Sequence, residues 1–148
     1  MWYLAVVFVN TVGVLLITTG HCLCGDITYT FDGKPLWIAH CHCESCRRQT
    51  SSVLATFVGV AASGFRYAQG TPARFDSSPG VRRSFCRRCG APMSFESSKF
   101  PGEVHLYIGT LDDPSAFMPT AHVHVAEKLP WLELNDGLPQ HQGSGGTL

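Results

Sequence analysis

His40-Cys41-His42-Cys43-Glu44-Ser45-Cys46 places three thiols within six residues, in a Cys-x-Cys-x-x-Cys run. Cys22-Leu23-Cys24 lies upstream and Cys86-Arg87-Arg88-Cys89 downstream, and together these motifs use all seven cysteines of the chain. Thiols so close can converge on one cation at about 2.3 Å from each sulfur. They suit disulfides badly. An odd number cannot pair fully within the chain, and a Cys-x-Cys bridge closes a strained, very small ring. Short Cys-x-Cys spans also fit zinc better than iron–sulfur clusters. The expectation is two zinc ions on a fold stapled by them.

Ligand arithmetic divides the thiols. Cys22 and Cys24 with Cys86 and Cys89 make a closed four-sulfur site, as in a structural zinc. Cys41, Cys43 and Cys46 supply only three ligands, leaving a position for water or substrate, as in a catalytic zinc. His40 or His42 completing this second site is the alternative, which would make both metals structural. His21, His105, His122 and His124 have weaker claims, although His122 and His124 stand at i and i+2 on an expected strand.

Around these motifs the chain reads as short strands and turns. Gly20 and Gly25 bracket the first pair, and Gly90 follows the last thiol, where a zinc knuckle often needs positive φ. Ile27, Tyr29 and Phe31 alternate with polar residues up to the Asp32-Gly33 turn. Leu36 to Ala39 reads as a strand that delivers the central cysteines, and Arg47 to Thr50 as a turn or short helix. Further strands are expected at Val53 to Val60, Ala73 to Phe75, Val81 to Phe85, Met93 to Glu96, Glu103 to Thr110 and Ala121 to Val125. Val104, Leu106 and Ile108 would share one face. Asp112-Asp113-Pro114 is an N-cap with proline in the first turn of one short helix. Lys128 to Pro139 reads as a loop, and residues 140–148 as a disordered tail. The class is mostly β: several coiled antiparallel sheets with at most one or two short helices.

With 148 residues, 45% hydrophobic and 15% charged, the chain suffices for one domain with a real core. Zero formal charge argues against a nucleic-acid binder. All eight arginines fall between Arg47 and Arg88, where they can offset anionic thiolate clusters, hold an anionic ligand's carboxylates, or form a solvated face. Cysteine motifs this tight point to a reducing compartment, the cytoplasm. Met1 to Thr19 has no charged side chain, and its Val, Ile and Thr content favours one or two buried strands over a membrane anchor or a secretory signal.

Gly20-His21-Cys22-Leu23-Cys24-Gly25, the central run through Arg47, and Phe85-Cys86-x-x-Cys89-Gly90 resemble the glutathione-dependent formaldehyde-activating enzyme family. Gly109 to Pro114, Lys128 to Trp131 and Asp136 to Pro139 resemble its C-terminal segment. The resemblance covers residues 18–139, which leaves 1–17 as an apolar extension outside the family pattern. It implies an Mss4-like fold, structural zinc on the outer doublets and catalytic zinc on the triplet. It also implies a carbon–sulfur lyase-type activity, condensing glutathione with formaldehyde to S-hydroxymethylglutathione. On this reading zinc ionises the thiol, His42 carries a proton, and Arg47 and Arg48, with Arg82 or Arg83, hold glutathione carboxylates. The competing reading is a non-catalytic zinc-stabilised β-module that binds a partner.

Overall fold

The computed structural model describes residues 16–145. The apolar segment up to residue 15 and the last three residues lie outside the described residues. Ten strands build two sheets: β1 Ile17–His21, β2 Thr28–Asp32, β3 Trp37–Cys41, β4 Ala55–Ala61, β5 Phe65–Gln69, β6 Ala73–Ser78, β7 Val81–Phe85, β8 Pro92–Ser97, β9 Glu103–Tyr107 and β10 Ala121–Val123. The small sheet has the order β1-β2-β5, and the large one β10-β3-β4-β9-β8-β7-β6. One α-helix, α1 Glu44–Thr50, interrupts them, with four 3₁₀ turns elsewhere among the described residues. The class is mostly β, as the alternating pattern implies.

Side-chain alternation sorts the large sheet into two faces. Val58 and Val60 of β4, with Val104 and Leu106 of β9, meet Tyr29 and Phe31 of the small sheet in a first core that also contains Cys22 and Cys86. Phe57, Ala39, Tyr107 and Val123 point the other way and form a second core with Cys41 and Cys46. Strands β4 and β9 are thus buried on both faces, which is why they read as near-continuous apolar runs. A Cβ at Gly20 would overlap the Tyr29 ring tip and the Thr110 carbonyl, so β1 packs closely enough here to exclude a side chain.

Several boundaries differ from the sequence reading. The expected strand Glu103 to Thr110 stops at Tyr107, and Ile108 falls in a 3₁₀ turn, Ile108–Thr110, rather than on the face of Val104 and Leu106. The α-helix begins earlier than Arg47, inside the cysteine run, because Cys43 caps it. Asp113 does cap a turn, its carboxylate accepting from the Ser115 amide at 3.2 Å, but only the 3₁₀ turn Pro114–Ala116 follows. Strand β10 pairs with β3 in parallel, so the sheets are not wholly antiparallel. Beyond Pro139 the chain is not a free tail as far as Gly143. His122 donates its amide to the Pro139 carbonyl, His141 to His122, and His124 to Gly143.

Candidate metal centres

The outer cluster is built from two knuckles of similar design. After Cys22 the chain turns back so that the Gly25 amide donates to the Cys22 carbonyl at 3.0 Å, and after Cys86 the Gly90 amide donates to the Cys86 carbonyl at 2.8 Å. Gly25 at φ 80° and Gly90 at φ 75° adopt the left-handed conformation that closes each turn. The Cys22 amide donates to Ile27 and the Cys86 amide to Ala91, which fixes both pairs on their strands. Arg88 joins the knuckles through a 2.9 Å ion pair with Asp26.

The four sulfurs lie within 4.8 Å of one another. Cys22 and Cys24 are 3.6 Å apart, and Cys24 and Cys86 are 3.7 Å apart. These separations are far longer than a disulfide bond of about 2.05 Å. They match the edge of about 3.8 Å of a tetrahedron with metal–sulfur bonds of about 2.3 Å. Hydrogen bonding from the Ala91 amide first, aided by the Cys24 amide, holds the Cys89 thiol down to about 6. The donor set therefore fits a four-thiolate metal site.

The central cluster is made differently. Cys41 ends β3, Cys43 is the extended cap of α1, and Cys46 lies one turn into that helix. Its amide donates to the Cys43 sulfur at 3.3 Å, so the cap geometry itself brings these two thiols together. The three sulfurs lie within 4.8 Å of one another, and no histidine nitrogen among the described residues joins them. Hydrogen bonds from Cys41 and Cys46 hold the Cys43 thiol down to about 2. The Cys41 thiol is pushed up by its hydrogen bonds to Cys43 and Cys46 and by burial. Cys46 gains from Cys41, but Cys43 and burial outweigh that and push it up to about 11. Thiols this close oppose one another's full ionisation, and a cation would allow all three to ionise.

The backbone explains why the histidines stay out. His40-Cys41-His42-Cys43 runs extended, so its thiols face one side of the large sheet and its imidazoles the other. His42 is fully buried, with Nε2 at 2.9 Å from His122 Nδ1. His122 in turn meets Asp136 through Nε2 at 2.8 Å. His122 and His124 do not share a strand face: β10 ends at Val123, and His124 adopts a left-handed conformation at φ 55°. The links to His122 and Asp136 escape sequence reasoning, since 80 residues separate His42 from His122 and no spacing signals the pair.

The arginines divide by position. Arg83 is 4% exposed, on the same face as the central thiols. Its Nη1 donates to the Tyr107 hydroxyl at 3.3 Å, its Nε donates to the Ser77 hydroxyl at 3.2 Å, and its guanidinium lies 4.9 Å from the centre of the Phe95 ring. Burial works against its charge, but Tyr107 and Cys46 outweigh that and raise its pKa. Arg82 points to the opposite face and pairs with Asp76 at 3.5 Å. Arg47 donates to the carbonyls of Glu127 at 2.9 Å and His42 at 3.4 Å, tying α1 to the chain beyond β10. Arg48 pairs with Glu44 at 2.7 Å, and both arginines line an open cleft of about 330 Å³ with Ser51, Val53 and Leu129.

A mostly β frame carrying two cysteine clusters able to hold metal ions defines the class of protein. Residues 17–127 match the glutathione-dependent formaldehyde-activating enzyme family, and the chain belongs to it. No curated protein matches the chain at a significant level. Among solved structures, the chain is similar to a Rhodobacter sphaeroides protein determined as a structural-genomics target, at 18% identity and a TM-score of 0.55. The match covers 83% of this chain and 98% of that one, and it supports the fold alone. No helix among the described residues is long and apolar enough to cross a membrane.

Proposed function

We propose that the protein is a zinc-dependent carbon–sulfur lyase-type enzyme, condensing glutathione or a related thiol with formaldehyde or a similar small aldehyde. The observation that carries this reading is the unequal donor set: four converging sulfurs in one cluster and three in the other, on a chain of this family. Cys22, Cys24, Cys86 and Cys89 would hold a structural zinc, and Cys41, Cys43 and Cys46 a catalytic one. When bound at the triplet, zinc supplies an electrophilic position that favours ionisation of a thiol at neutral pH.

The chain's own residues supply the rest. Arg83 sets a buried positive charge beside the triplet and offsets the charge of the thiolates. Arg48, exposed and paired with Glu44 at the cleft beside α1, would hold a glutathione carboxylate there. Arg47 borders the same cleft and holds the helix in place from it. In the reaction a carbon–sulfur bond forms and the carbonyl π pair moves to oxygen, which takes up the proton that the thiol has lost. His42, expected from the sequence to carry that proton, is buried on the face opposite the thiols and bonded to His122, so it is left out of the proton transfer, which falls to solvent at the open position. A non-catalytic module would call for a closed central cluster, and the three-sulfur set favours the enzyme. The clustered free thiols suit a reducing compartment such as the cytoplasm.

The test is carbon-13 exchange NMR between labelled formaldehyde hydrate and S-hydroxymethylglutathione. Catalysis predicts faster exchange with the zinc-loaded protein and none above background with Cys43→Ser. Equal rates with and without the protein would remove this substrate pair.

A further inference from the structure

The large sheet carries a third convergence of ligating side chains, on the face opposite the central thiols. His40 of β3 and His122 of β10 are direct partners in the parallel pairing, so both imidazoles project from the same face. Their rings lie 4.8 Å apart between centroids and 28° from parallel. Asp136 reaches them from the loop that follows β10. One nitrogen from each ring and one Asp136 oxygen lie within 4.8 Å of one another. We propose that His40, His122 and Asp136 form a metal site separate from both cysteine clusters, taking a divalent transition ion such as zinc, cobalt or nickel.

The supporting contacts are those a ligating histidine needs. Such a residue anchors its non-ligating nitrogen on a partner, which fixes the ring and its tautomer. His40 Nδ1 is 2.7 Å from the Thr56 hydroxyl, and His122 Nδ1 is 2.9 Å from His42 Nε2. That leaves His122 Nε2 turned to the Asp136 carboxylate, with one nitrogen of His40 within 4.8 Å of both. The Asp136 carboxylate is held in turn, since Oδ1 accepts from the Leu138 amide at 3.1 Å while Oδ2 faces His122 Nε2. A simple His122–Asp136 hydrogen bond would account for that pair alone. It leaves unexplained why His40 is held beside them with its own anchor.

Access and donor type define the ligand. His122 is 2% exposed, but the Asp136 side chain is 43% exposed, so the cluster opens outward on the carboxylate side. Two nitrogens and one oxygen suit borderline transition ions rather than calcium or magnesium, which prefer all-oxygen sets. Three protein ligands leave positions for solvent. The inference does not depend on the thiol–aldehyde reading, because none of these three residues belongs to a cysteine cluster.

The test is titration of the purified protein, already carrying its thiolate-held metal, with cobalt(II) alone. One further equivalent should bind, with weak visible ligand-field bands and no sulfur-to-cobalt charge transfer. Asp136→Asn keeps the acceptor for Leu138, and His40→Gln alters a half-buried position; each should weaken the added site by at least about tenfold. Circular dichroism should stay unchanged in both variants. Absence of a further equivalent would overturn the proposal. So would an added equivalent that survives both substitutions, or one that shows thiolate charge transfer.

Discussion

The outer and central cysteine clusters use the same ligand, but the outer one joins two strand-borne knuckles and the central one joins a strand end to a helix cap. Cys22 and Cys86 are buried in the core between the two sheets, and their knuckles connect segments more than 60 residues apart. Cys41, Cys43 and Cys46 come from one local run, and the helix cap alone brings two of them together. Metal at the outer cluster therefore closes a long loop, whereas metal at the central cluster closes almost none. Under the proposed function, the same chemistry would contribute chiefly folding energy in one place and reactivity in the other.

This contrast predicts a graded set of effects. The largest is expected for Cys89→Ser, which should abolish the outer site and cost several kcal/mol or more, enough to unfold the chain. Loss of the β-type circular dichroism signal together with both metals would show it. Cys43→Ser should lose the central metal and activity while keeping that signal. If the two variants behave alike, the division between the clusters is wrong.

Smaller changes sharpen the comparison. Gly20→Ala should destabilise the outer region by about 1–3 kcal/mol, because the added methyl meets Tyr29 and the Thr110 backbone, and denaturant melts measure this directly. Arg83→Met should leave the outer metal in place but weaken central metal retention by about tenfold, read by competition with a chelator. The smallest effect concerns His105, whose pKa is lowered by burial despite the opposing pull of Glu103, 3.0 Å away. Its folded value lies below the unfolded one of about 6.5, so the unfolded chain binds more protons in between. That contribution is complete above about pH 6.5 and is lost as pH falls through the folded value. Imidazole nitrogen shifts should show His105 still neutral at pH 6.5, and a charged ring there would contradict the assignment.

Residues that act locally were the legible ones. Ile27, Tyr29 and Phe31 declared β2 by alternation, and all three are buried. The cysteine doublets and triplet suggested their own groupings, since each motif fits one cation and ligand arithmetic narrows the division to four and three, which is the grouping the fold brings together. What the sequence hides is long-range pairing. Nothing near His122 signals that it lies parallel to His40, or that Asp136 returns to it. The buried setting of Arg83 is equally silent, because it depends on Phe95 and Tyr107 from two later strands. The chain after Pro139 looks loose by composition, yet it is held by backbone bonds to β10 that need no particular side chains.

The most direct measurement is zinc per chain, with sulfur coordination followed by X-ray absorption before and after glutathione. The account predicts zinc at both thiolate clusters and a rise from about 3.5 to about 4 sulfurs per thiolate-held zinc, as the three-sulfur site gains a ligand. An unchanged sulfur number, in protein that retains both metals, would contradict the open central site.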